Sequence, residues 1–98
     1  MAAQITVETV QKGDAWECRV TVAEGESRTT HTVTVERTYR DKLAGTAVPV
    51  EQLVEKSFEF LLARESKESI LRSFSLPVIG RYFPEYEGAM RGQFGKKS

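Results

Sequence analysis

The chain has 98 residues, 40% of them apolar and 29% charged, and its 14 basic and 14 acidic side chains leave zero formal net charge. That length holds one domain with a single modest core. The charge balance argues against a protein that works by bulk attraction to phosphate, and no apolar run approaches the roughly 18–20 residues that span a bilayer.

The opening Met1-Ala2-Ala3-Gln4 lacks the basic and apolar regions of a signal peptide, and the lone cysteine, Cys18, cannot form an internal disulfide. Both point to a reducing cytoplasm. The two ends differ in charge: residues 1–65 carry 8 basic against 11 acidic side chains, residues 66–98 carry 6 against 3. The C-terminal part could steer an anionic partner, although a soluble tail explains much of the excess.

From Ile5 to Glu36 apolar residues recur at every second position, and from Val50 onward they recur at three and four. The first period belongs to strands and the second to helices. Gly13-Asp14, between two alternating runs, suits a two-residue hairpin turn with glycine supplying positive φ. Pairing outward from it sets Cys18 opposite Thr9, Val20 opposite Val7 and Val22 opposite Ile5. The other face then pairs Glu8 with Arg19 and Thr6 with Thr21, so an apolar face and an ion pair emerge from one register. A second turn falls within Glu24-Gly25-Glu26-Ser27. Either of two nearby registers puts Thr29, His31, Val33 and Val35 on the face of Trp16, Cys18, Val20 and Val22. The opposite face carries Glu17, Arg19, Thr21, Thr30, Thr32, Thr34 and Glu36, as a solvated sheet face does.

After the third strand, Thr38 is placed to cap a short helical turn whose inner face is Tyr39 and Leu43 and whose end is Gly45. The main helix is expected over 49–64, with Pro49 in its first turn. Val50, Leu53, Val54, Ser57, Phe58 and Leu61 form its core stripe. Phe60 and Leu62 widen the apolar arc to about 200°, against the roughly 100° of an ordinary surface helix. One sheet cannot cover that arc. Ser66 is then expected to cap a short helix bearing Ile70, Leu71 and Phe74. Ser75, Leu76 and Pro77 begin another, bearing Val78, Ile79, Tyr82 and Phe83 and stopped by Pro84. From Gly88 three glycines and no evident period predict a disordered tail over 88–98.

The stretch Phe60-Leu61-Leu62-Ala63-Arg64-Glu65-Ser66-Lys67-Glu68-Ser69-Ile70-Leu71, with Arg81-Tyr82-Phe83-Pro84-Glu85-Tyr86-Glu87, resembles short bacterial proteins to which no function is assigned. The resemblance covers about a third of the chain. It implies a bacterial origin and a recurring helical module, and it brings no activity, ligand or site residue.

Catalytic and metal chemistry find little support. Cys18 and His31 share one face of adjacent strands, as an activated thiolate–imidazolium pair would. That face is the one the helix should cover, where a packed, inert thiol is the ordinary case. One His and one Cys fall short of the three or four N/S ligands of zinc. No phosphate loop, dinucleotide fingerprint or nucleophile elbow is present. No cofactor is expected, and the chain reads as non-catalytic.

Two binding readings remain. Surplus apolar arc, a C-terminal third holding Phe74, Tyr82, Phe83, Tyr86 and Phe94, and an open sheet edge all need cover. They suit a protein partner or a twofold homodimer with Phe60, Leu62, Phe74, Tyr82, Phe83 and Tyr86 as contact residues, or equally a core closed within one chain. Polar replacement of Phe60 and Leu62 is expected to change oligomeric state without unfolding the domain. The alternative is nucleic-acid binding through Lys67, Arg72 and Arg81 on the basic C-terminal helices. The sequence thus predicts an α+β domain over 1–87: a three-stranded antiparallel meander, a long helix across one sheet face, and one or two short C-terminal helices.

Overall fold

The computed structural model describes residues 3–94. Strands β1 (Gln4–Lys12), β2 (Ala15–Glu24) and β3 (Ser27–Glu36) form an antiparallel meander. Its turns centre on Gly13-Asp14 and Gly25-Glu26, with Gly13 at φ 63° and Gly25 at φ 60°. Both glycines sit where a Cβ would cost steric energy, and this sets both registers. The observed pairs Thr9–Cys18, Val7–Val20 and Ile5–Val22 are those the alternation demands. Val20 faces His31 and Cys18 faces Val33 across the next ladder. Cys18, Val20, Val22, Val33 and Val35 are fully buried on the inner face, while Arg19, Thr30 and Thr34 lie exposed on the outer one.

Helix α1 (Arg37–Ala44) follows β3 without a break, its N-cap being Glu36 rather than Thr38. Gly45 closes it with an N–H donated to Asp41 O at 3.0 Å. Arg40 then donates to Val48 O at 2.9 Å and lies 5.0 Å from the Trp16 ring centre, which pins the connection to α2. Helix α2 (Val50–Leu62) starts after Pro49, whose extended backbone forms the N-cap. It lays Val50, Leu53, Val54, Phe58 and Leu61 on the sheet as buried core.

Two expectations fail beyond this point. The segment from Ser66 is not a helix bearing Ile70, Leu71 and Phe74. It makes one 3-10 turn (Lys67–Ser69) and then extends into strand β4 (Ser73–Ser75), parallel to β3. Among the described residues the sheet therefore has four strands in the order β1-β2-β3-β4, not the three of a meander. The open edge of β3 wins this segment from the helix. Thr32 N–H donates to Arg72 O at 2.7 Å and Leu76 N–H to Thr34 O at 2.9 Å, partnering main-chain groups that a helix would have left bare on β3. The sequence did hold a signal, because Ser73-Phe74-Ser75-Leu76 alternates with the period of two.

The second failure is the tail. Helix α3 (Val78–Tyr82) is followed by helix α4 (Tyr86–Phe94), so residues 88–94 are ordered structure, and the domain runs past residue 87. Residues 95–98 of the expected tail lie outside the described residues. Tyr86 and Met90 are buried, Phe94 is half-buried, and the spacing i, i+4, i+8 sets all three on one helix face. Two glycines within the helix cost about 1 kcal/mol each relative to alanine, and burying a Tyr or Met side chain offsets that. This face covers the surplus arc of α2. Phe60 meets Tyr86 edge-on at 5.3 Å and Phe83 at 5.9 Å, and only 8% of it stays exposed.

Polar bonds register α4 against its neighbours. Ser57 Oγ donates to Leu53 O at 2.8 Å, so the Tyr86 hydroxyl donates to Ser57 Oγ at 2.6 Å. Tyr39 donates to Glu87 at 2.9 Å, and Lys42 lies 3.5 Å from the same carboxylate. The Tyr39 hydrogen bond, and then Lys42, hold the Glu87 carboxyl below its usual value of 4.5. A depressed folded value means that the stabilisation is present above the unfolded value and is lost as pH falls through the folded one. Glu87→Gln is expected to melt below wild type at neutral pH. The gap should close as pH falls below about 4.5 in a melting series; a gap that widens in acid would contradict this assignment.

Candidate functional site

The thiol and imidazole are not a site. His31, 1% exposed, uses both ring nitrogens. Nδ1 lies 2.8 Å from Leu71 O, which can only accept, so the proton is on Nδ1 and the Thr29 hydroxyl donates to Nε2 at 2.8 Å. Its work is structural: it fastens the segment leading into β4 to the sheet. Cys18 is fully buried, and burial first, then the charges of Glu51 and Glu17, push its thiol up to about 12. A thiol held there is not a nucleophile at neutral pH. In the native protein it is expected to resist Ellman's reagent at pH 8 and to react with one equivalent once the chain is unfolded. Rapid native reaction would mean that the core opens. Among the described residues, no group of three or more His, Cys, Asp or Glu side chains is placed to hold a metal ion.

The six expected contact residues separate into two sets. Phe60 and Tyr86 belong to the core, so polar replacement at Phe60 attacks folding, not assembly. Leu62 is half-buried beside them and packs against that core. Phe74, Phe83 and Tyr82 converge elsewhere. With Leu61, Ile70, Leu71, Val78 and Ile79 they line an open groove of about 270 Å³ between the end of α2, β4 and α3. Tyr82 is 67% exposed and Leu71 47%, large apolar surfaces left in water on the same groove. Leu61, Ile70, Leu71, Val78 and Ile79 line the groove without having been among the expected contact residues. Leu71, expected on a short helix with Ile70 and Phe74, lies instead in the irregular stretch between the 3-10 turn and β4, exposed at the groove.

The three expected nucleic-acid contacts also part company. The Lys67 side chain is 5% exposed, and its ammonium donates to Glu68 at 2.9 Å and Glu24 at 3.0 Å. The hydrogen bonds it donates to Glu68 and then to Glu24 raise its pKa, so it stays charged but neutralised. Lys67 therefore clamps the 3-10 turn to the end of β2 and offers no cation to a phosphate. Arg72 and Arg81 are exposed, and among the described residues neither has an ion-pair partner.

No helix among the described residues is long and apolar enough to cross a membrane. Comparison of the chain with models of protein families, with curated proteins and with solved structures finds no match.

Proposed function

We propose that this is a small bacterial, cytoplasmic binding module, non-catalytic, that takes apolar side chains of a protein partner into the groove between α2, β4 and α3. The observation that carries this reading is the pairing of Tyr82 and Leu71, 67% and 47% exposed, on one apolar groove. A folded domain gains nothing from leaving both in water, whereas a partner that covers them gains about 25 cal/mol per Å² of apolar surface removed. Size supports a protein partner. At about 270 Å³ the groove is smaller than the roughly 300–1,000 Å³ of ordinary small-molecule sites, and it is partly open to solvent.

The nucleic-acid alternative is the weaker reading. With Lys67 neutralised, it rests on Arg72 and Arg81, and two phosphate contacts supply little of the counterion release on which such affinity depends.

The test is selection of a display library of short random peptides against the whole chain and against the Leu71→Ser/Tyr82→Ser double variant. Both side chains are exposed, so the variant is expected to melt close to wild type. Peptides that bind wild type and not the variant support the reading; none, or binding indifferent to the variant, overturns it. Light scattering over a concentration series is expected to give a monomer. A dimer abolished by the same double variant would make the occupant a second copy of this chain.

A further inference from the structure

The free edge of β4 runs beside the groove. In a parallel ladder, alternate residues of a strand face one neighbour and then the other. Arg72 O and Leu76 N–H bond to β3, at 2.7 Å to Thr32 N–H and 2.9 Å to Thr34 O. By the two-residue repeat, the main-chain groups of Ser73 and Ser75 turn away from β3. Among the described residues no further strand follows β4 in the sheet, and both serines are exposed. Among the described residues, neither serine's main chain joins a backbone hydrogen bond with a turn, loop or cap. Two donors and two acceptors therefore stand open in a row. Phe74, between them, points its side chain the other way, into the wall of the groove.

We propose that the groove's occupant is an extended peptide strand, added to the free edge of β4 through the main chain of Ser73 and Ser75. Its alternate apolar side chains lie against Phe74, Leu71 and Tyr82. This deepens the reading above and rests on it. An extended segment serves both features together, because its hydrogen-bonding groups lie in the sheet plane while every second side chain points to the groove. A docked helix would bury its own main chain and leave the serine groups bare.

Charge selects among such strands. Glu68 is held by Lys67 and Glu85 by Arg64, at 2.9 and 3.1 Å, whereas Arg72 and Arg81 have no ion-pair partner among the described residues. Among the described residues Glu65 is the one carboxylate on the groove wall. Arg72 and Arg81 adjoin the groove residues Leu71 and Tyr82 in the chain, and two open cations there against one carboxylate favour a strand with acidic flanks.

The test uses the whole chain, the same random-peptide library and the Ser75→Pro variant. Proline removes the outward N–H of Ser75 and leaves the Leu76 bond to Thr34 intact, a substitution that edge strands tolerate. The expected result is peptides with apolar residues at alternate positions and acidic flanks, losing at least tenfold in affinity for Ser75→Pro. A synthetic copy N-methylated at the pairing positions should lose as much, which needs no protein variant. Binding should also slow amide hydrogen exchange at Ser73 and Ser75. Selected peptides with apolar residues spaced by three and four, or bound equally by Ser75→Pro and unaffected by N-methylation, overturn the strand and leave the groove reading standing. Basic flanks overturn the charge assignment. Failure to select any peptide that depends on Leu71 and Tyr82 overturns both readings.

Discussion

Replacing Tyr86 by alanine is expected to take the domain to the edge of unfolding. The side chain is fully buried, packs edge-on against Phe60 at 5.3 Å and donates to Ser57 Oγ at 2.6 Å. Large-to-small replacement of a buried aromatic costs about 3–5 kcal/mol. Domains of this size hold only ~5–15 kcal/mol in total, and in them 1 kcal/mol moves the melting midpoint by about 4–8 °C. A fall of about 12 °C or more is therefore expected by calorimetry or circular dichroism. Tyr86→Phe isolates the hydroxyl, which removes one hydrogen bond and is expected to cost about 0.5–1.5 kcal/mol. A Tyr86→Ala protein that melts like wild type would show that α4 is not part of the core, and the cover assigned to Phe60 would fall with it.

His31 carries the second large effect, and its consequence is local. His31→Leu retains apolar bulk next to Phe58, whose ring centre lies 5.3 Å from the imidazole. It deprives the Leu71 carbonyl of the donor now 2.8 Å away. An acceptor stripped of its partner costs about 1–3 kcal/mol. The loss should show first as faster hydrogen exchange over residues 72–76, because this bond anchors the segment that leads into β4. Peptide binding at the groove should weaken with it, since Leu71 and Phe74 are positioned by that segment. His31→Asn, which keeps a donor near the Nδ1 position, should recover part of the protection. Equal exchange in wild type and His31→Leu would mean that the β3–β4 ladder holds the segment unaided.

Local chemistry made the first half of the fold legible. Gly13 and Gly25 set two-residue turns, and a one-residue slip would have turned Val20 and Val22 to water, so the registers followed from turn and alternation together. The stripe of α2 was readable for the same reason, and its start to within one residue, since Pro49, expected in the first turn, is the N-cap. The surplus arc ending at Phe60 announced that a further layer must exist. It could not say which segment supplies that layer, because an apolar surface specifies burial and not its partner.

The candidate site was legible only in pieces. Phe74, Tyr82 and Phe83 were named from composition, but Phe60 and Tyr86 in the same list are core. Lys67, named as a phosphate contact, is a buried clamp between Glu24 and Glu68. Each outcome turns on contacts between residues far apart in sequence. Ser73 pairs with Thr32, and Tyr86 with Ser57. A three-residue strand has too few residues to declare itself. The glycines of α4 argue against helix until Tyr86 and Met90 find the cavity they fill.

The sequence alone determined the meander, its two faces, the burial of Cys18 and His31, and the need for cover on α2, because short-range sterics and period decide those. Tertiary structure decided that β4 completes the sheet, that α4 and not a second chain covers Phe60, and that Leu71 and Tyr82 remain in water. Those choices are competitions between whole surfaces for burial and hydrogen bonds, and they are settled only when every segment has been placed.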